Sequence, residues 1–306
     1  MTRFVVRRFV TLLPVLFGVS LVAFLLIHLI PGDPAEVLAG PGAAGEDIAR
    51  LRQQLGLTAP LPVQYAEWVA RTSHADLGRS LLTRQPVLPE LLDRFGNTLR
   101  LAVAAMIVAL ALGLAAGVVA AVRRGTVWDV ALSLFAIAGV SVPIFWLGLL
   151  FMLWFAVTLG WVPATGMAGP ATYVLPALAL GLNAAALISR ITRSSVLEIL
   201  GRDYVRTALA KGLSARRVLW RHVLRSSAVP ILTVAALQFG YLLGGAVLTE
   251  TVFVWPGLGR LLVEAIQRRD FPVVQGGILL IAVTLILLNL ATDILYAAAD
   301  PRIRYQ

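Results

Sequence analysis

The sequence predicts an all-α integral membrane protein of six transmembrane helices, with both termini in the cytoplasm. Three observations predict it. Apolar residues make up 59% of the 306 and charged residues 14%, against about 45–50% and about 25% in soluble domains. Six apolar stretches are each long enough for a ~30 Å hydrocarbon core, which takes about 20 helical residues. Basic side chains crowd alternate connecting segments, the signature of cytoplasmic loops. Mean hydropathy is +0.85, which excludes a soluble enzyme or nucleic-acid-binding domain as the leading class.

The first span, Phe9–Ile30, follows Arg3, Arg7 and Arg8. It is too long for a signal-peptide core and no small-x-small cleavage site follows, so an uncleaved first helix is expected. Residues 31–98 form a hydrophilic extracytoplasmic loop with helical patches. Ile48, Leu51, Gln54 and Leu55 share one face, and Leu91, Leu92 and Phe95 another. The second span is Leu101–Val122. The third, Ala131–Thr158, is long and carries Pro143, which predicts a kink or tilt. The fourth, Thr172–Ser189, is short and rich in Gly and Ala, suited to close packing in lipid. Residues 190–228 form a basic cytoplasmic loop. Val229–Thr249 is the fifth span, residues 250–275 an extracytoplasmic gate loop, and Gly276–Ala298 the sixth span. The whole of 1–306 is read as one transmembrane domain.

Charge fixes the orientation. With the N-terminus inside, the inner segments hold sixteen Arg or Lys against four acids (Asp129, Glu198, Asp203, Asp300), and the outer segments nine Arg against eleven acids. The formal net charge of +10 is therefore a topology signal, and no nucleic-acid partner is expected.

Catalytic chemistry finds few supports. Cysteine is absent, so thiolate chemistry is excluded. The three histidines, His28, His74 and His222, fall in segments that the topology separates. No G-x-S-x-G, H-E-x-x-H or P-loop occurs, and Lys211 is the sole lysine. The chain is expected to be no enzyme. Asp293, near the inner end of span six, is expected to pair with an interfacial Arg. Asn183, Gln238 and Asn289 are uncharged polar residues within spans; they line a pathway for a polar solute or bridge helices. Trp255, Pro256 and Gly257 form an aromatic turn that gates the outer mouth or contacts an extracytoplasmic partner protein, or Trp255 anchors the interface.

The inner loop is the most informative segment. Tyr204, Ala208 and Leu209 give a short helix one apolar face. Gly212 suits a left-handed C-terminal cap, and Ser214 can N-cap a second helix with Val218, Leu219, His222 and Val223 on one side. A projecting helix suits docking into a partner's groove, and a basic segment also suits anionic lipid.

The run DYVRTALAKGLSARRVLWRHVLRSSAVPILT (Asp203–Thr233) resembles the loop of ABC importer permeases written E-A-A-x-x-x-G, nine residues, then I-x-L-P, in its dipeptide/oligopeptide version. Gly212 matches the glycine, Thr207-Ala208 the A-A places and Leu224 the leucine; Arg206, His222 and Arg225 replace the Glu, Ile and Pro. IPGDPA (Ile30–Ala35), DLGRS (Asp76–Ser80), TETVFVWPGLGRLLVEAIQRRDFPVVQG (Thr249–Gly276) and ADPRIRY (Ala299–Tyr305) extend the resemblance along the chain. RQQLGL (Arg52–Leu57) and LQFGYLLGGAV (Leu237–Val247) are most similar to the glutathione-importer branch.

The resemblance implies a type I ABC importer permease fold in a bacterial inner membrane, and one half of a heterodimeric pore for short peptides. It implies partners too: a second permease subunit, ATP-binding cassette subunits that carry the ATP and Mg, and an extracytoplasmic solute-binding protein. Asp203, Tyr204, Arg206, Thr207, Ala208, Lys211 and Gly212 would then couple the chain to the ATPase. Nickel or another small solute is the alternative cargo in the same family. An ATPase-independent secondary transporter is the rival outside it.

Overall fold

Prolines and glycines decide where this apolar chain breaks and where its helices touch. The computed structural model describes residues 2–29, 34–39, 42–54 and 56–299. In chain order the helices are α1 (Thr2–Leu29), α2 (Pro34–Ala39), α3 (Gly45–Gln54), α4 (Leu61–Ser73), α5 (Val87–Val122), α6 (Val127–Ser141), α7 (Ile144–Phe151), α8 (Val174–Leu200), α9 (Asp203–Ala210), α10 (Ala215–Val218), α11 (Leu224–Gly245), α12 (Val247–Val252), α13 (Leu258–Gln267) and α14 (Phe271–Ala299). Two π turns extend them, Met152–Thr158 after α7 and Leu219–Val223 between α10 and α11, and a 3-10 turn, Pro170–Tyr173, leads into α8.

Among the described residues, four stretches are long and apolar enough to cross a bilayer: Val87–Val122, Pro170–Leu200, Ala215–Gly244 and Phe271–Thr292. α1 carries a shorter apolar stretch, Leu13–Leu26. The predicted third span is broken outright. α6 and α7 meet at 104°, where the sequence called for a kink. Pro143 has no amide to donate and forces the residue before it out of the helical region. Val142 and Pro143 are both extended, with ψ near 126° and 132°. The second span also differs: it continues the helical patch at Pro89–Phe95 as one 36-residue helix. In that patch Leu91 is buried and Phe95 packs against its core, but Leu92 is exposed and faces away.

The chain divides into two compact units, Met1–Asn97 with Gly257–Gln306, and Thr98–Pro256. In the first, α14 lies along α1. α4 rests on α1 through an aromatic group: Phe24 meets Tyr65 edge-on at 5.4 Å, and the Tyr65 hydroxyl lies 2.7 Å from Ser20 Oγ. The core beside them joins Val87 and Leu91 to Leu258, Leu262, Val273 and Val274.

In the second unit α8 is the central helix, packed by α11, α6 and α7. α5 joins it through small residues: Ala109 packs on Ala184, Ala185 and Ile188. A Cβ at Gly117 would sit 2.6 Å from the Ser189 carbonyl, and one at Gly181 2.7 Å from the Ala105 carbonyl. The two backbones thus approach to a distance that only glycine permits. Gly113 and Gly117 form a G-x-x-x-G pair, the spacing that puts both on one helix face.

Candidate functional site

The candidate coupling segment is built outward from the C-terminal end of α8. Below the last turn of α8, α9 and α10 cover a small apolar bed. Val196, Val205, Val218 and Val223 are buried together with Ala121 of α5, and Ala208 and Leu213 pack on them. The side of α9 that faces protein is therefore Val205 with Ala208. Tyr204 and Leu209, expected on that apolar face with Ala208, are 46% and 45% exposed and point outward. Residues i, i+4 and i+5 share a broad arc, and only the position of the bed decides which part of the arc is covered.

α9 ends as the glycine predicts. Gly212 lies at φ +83° with open space where a Cβ would be. Its amide donates to the Leu209 carbonyl at 2.9 Å, and the Leu213 amide to the Ala208 carbonyl at 3.3 Å. These paired bonds form the Schellman stop, in which a left-handed residue folds the chain back onto its own last turn. Ser214 occupies the N-cap of α10 in extended conformation, but its side chain makes no capping bond. Asp203 and Arg206 are exposed and approach at 3.9 Å, and the Thr207 hydroxyl donates to the Asp203 carbonyl at 3.0 Å. Lys211 is exposed at the C-cap. The Tyr204 hydroxyl, 3.1 Å from Ser226 Oγ, ties the helix to α11. The result is an eight-residue helix on a fixed bed, showing solvent a tyrosine, a leucine and mixed charges. Such a surface fits a groove in a partner protein.

The start of α6 and the C-terminal part of α8 are joined by a forked ion pair. Arg193 Nε and Nη2 reach Asp129 Oδ1 and Oδ2 at 2.6 and 2.9 Å, a bidentate geometry stronger than a single contact. The Gly125 amide donates to the same carboxylate at 3.1 Å. The charge count of the sequence included both residues without revealing that they meet.

The candidate gate is a buried knot. Trp255 is 0% exposed, sits among Leu101, Leu180 and Leu242 and meets Tyr173 edge-on at 4.6 Å. An indole this enclosed is not an interfacial anchor. Its amide donates to the Glu250 carbonyl at 2.8 Å across a turn in which Val254 has φ +52°. Glu250 is itself 0% exposed and accepts from Thr98 Oγ1 at 2.6 Å. The sequence marked Glu250 only as the first residue of the outer loop; a carboxylate abutting an apolar span was the available signal for its burial. Pro256 is partly buried, and buried Gly257 caps α13.

The polar residues within spans separate. Asn183 donates from Nδ2 to the Gly139 carbonyl of α6 at 2.9 Å, so it bridges helices. Gln238 is half-buried on α11 and Asn289 exposed on α14. The side chains of His28 and Asp293, and residues 30–33 and 300–306, lie outside the described residues.

Comparison with known proteins agrees along the whole chain. Residues 113–305 match the family model described as binding-protein-dependent transport system inner membrane component, and residues 1–102 match the model of its N-terminal part. The glutathione transport system permease protein GsiC of Escherichia coli is 46% identical, with 100% of both chains covered. The di/tripeptide transport system permease protein DppB of Pseudomonas aeruginosa is also 46% identical, again over 100% of both. Among solved structures, the inward-facing MetNI methionine ABC transporter superposes with TM-score 0.55 at 20% identity, covering 69% of this chain and 96% of that one. A crystal structure of an amino acid ABC transporter with histidines gives TM-score 0.52 at 17% identity, covering 70% and 94%.

Proposed function

The chain belongs to the family of binding-protein-dependent transport system inner membrane components, and from that premise we propose that it is the permease subunit of an ATP-driven importer of short peptides. Full-length similarity to permeases named for glutathione and for di/tripeptides supports the substrate class. The observation that carries the mechanism is α9: a short helix, firmly bedded and sharply stopped, with Tyr204 and Leu209 turned outward. In this reading α9 seats in a groove of a cytoplasmic ATPase, which supplies the P-loop absent from this sequence and carries the ATP and Mg. A second, different permease subunit completes the pore, and a solute-binding protein delivers peptide from outside.

Linkage sets what the docked helix must do. ATP shifts the pore between inward-facing and outward-facing states only by binding the two with different affinity. A tenfold shift needs about 1.4 kcal/mol passed through the docking surface. The apolar bed under α9 makes this feasible, because motion of α9 is delivered to α8, α5 and α11 rather than absorbed by a loose loop.

The test is uptake into proteoliposomes holding the complete transporter, with labelled dipeptide and glutathione supplied outside. ATP-dependent uptake that requires the binding protein is expected. Uptake by this chain without any ATPase would refute the reading and favour a secondary transporter.

A further inference from the structure

The first unit carries, by the orientation read from charge, an extracytoplasmic turn whose rigidity its sequence does not announce. The turn runs from Asp76 to Pro86, between α4 and α5. Arg79 and Pro86 form an antiparallel bridge. The Ser80 amide donates to the Gln85 carbonyl at 3.0 Å and the Val87 amide to the Gly78 carbonyl at 3.0 Å. Ser80 is the pivot: its Oγ accepts from the amides of Leu82 and Thr83 at 3.2 and 3.0 Å and donates to Asp270 Oδ2 at 2.5 Å. The Leu81 amide donates to Asp270 Oδ1 at 3.0 Å. Asp270, buried between α13 and α14, thus uses both oxygens to hold one loop.

Backbone strain concentrates in the same place. Four residues other than glycine have left-handed φ among the described residues, and three are here: Ala75 (+62°), Arg84 (+61°) and Arg269 (+57°). Each such conformation costs on the order of 1 kcal/mol and persists only where its surroundings over-determine it; such residues cluster at functional sites.

The strained, pinned turn displays charge. Arg79 and Arg84 are exposed on it, and Arg268 and Arg269 are exposed next to its anchor Asp270. None of the four makes an ion pair among the described residues. The one acid of the turn, Asp76, accepts from the Gly78 amide at 2.9 Å. Outer segments hold more acids than bases overall, so this patch runs against its surroundings. Leu82 in the turn and Ile266 near the end of α13 are both about half exposed.

We propose that this surface, Asp76–Pro86 with Arg268 and Arg269, is the landing site of the extracytoplasmic solute-binding protein, which meets it through an acidic patch. The inference rests on the permease reading above and deepens it by naming the footprint. Complementary charge speeds encounter and fixes register, and a pre-ordered turn loses little entropy when it is covered. Exposed apolar side chains beside charged ones, as Leu82 and Ile266 are here, also suit a protein interface.

The experiment uses the complete transporter in nanodiscs with its own solute-binding protein. The variant combines Arg79→Gln, Arg84→Asn, Arg268→Gln and Arg269→Asn, since asparagine tolerates the two left-handed positions. Association of the binding protein is expected to slow by on the order of tenfold at low salt, with little difference at high salt and unchanged ATP hydrolysis in its absence. A variant that associates as fast as wild type overturns the footprint alone. Loss of bound anionic phospholipid from the variant, with association unchanged, overturns it in favour of a lipid site. A wild-type transporter that no solute-binding protein engages overturns the permease reading itself.

Discussion

Gly212→Val probes the stop of α9. The native residue lies at φ +83°, and open space surrounds the position where a Cβ would be added. Crowding is therefore excluded as a cause, and the penalty is conformational. A left-handed conformation costs an L-residue about 1–2 kcal/mol, and a β-branched one sits at the upper end. Relief of that strain opens the bonds from Gly212 and Leu213 to Leu209 and Ala208, so the last turn of α9 frays. If docking needs the stopped helix, the affinity of the ATPase for the membrane subunits falls by about 5–30-fold. Gly212→Asn, which tolerates the left-handed region, should remain near wild type. The assay is titration of the ATPase onto nanodisc-held membrane subunits, with peptide-stimulated ATP hydrolysis as a second readout. Equal affinity for the valine, asparagine and wild-type forms would refute the reasoning, because a backbone argument requires the two substitutions to differ.

Three further outcomes follow from packing. Trp255→Ala removes a fully buried indole from its contact with Tyr173; it should cost about 3–5 kcal/mol, read as a lower melting temperature, while Trp255→Phe should recover part of the loss. Gly117→Val drives side-chain atoms into the Ser189 carbonyl; overpacking of about 1–3 kcal/mol or more should appear as poor recovery of folded protein. Asp129→Asn removes the charge that Arg193 grips with two nitrogens; a lower melting temperature is expected, and the exchange of Asp129→Arg with Arg193→Asp should restore some of it. A thermal scan in which Asp129→Asn matches wild type would mean that the fork adds nothing to the joint between α6 and α8.

What the sequence revealed and what it hid divide along a physical line. Apolar length and charge placement are one-dimensional properties, so helices appear at the six predicted apolar segments and Gly212 could be recognised as a stop. Burial within a membrane protein is different, because lipid and protein are both apolar. Leu91 and Leu92 are chemically alike, yet one is buried and the other exposed. Outside the spans, α9 has only eight residues, too few for pattern to tell Tyr204 and Leu209 from Val205. Pro143 announced a distortion but not its size, which depends on what α6 and α7 pack against. The pairs Asp129–Arg193, Thr98–Glu250 and Ser80–Asp270 join residues 64, 152 and 190 positions apart. No local motif encodes such distances. The G-x-x-x-G of α5 was readable and marks one of its close approaches to α8.

The sole lysine gives the coupling segment a chemical handle. Lys211 is exposed at the end of α9, and every other basic side chain is arginine or histidine. An amine-directed acylating reagent therefore has one side-chain target in this subunit, beside the terminal amine. Its rate of modification reports, without any engineered label, how often the end of α9 is uncovered. Followed through a round of ATP binding and hydrolysis, that rate would time the proposed docking of α9 on the ATPase in the unaltered protein.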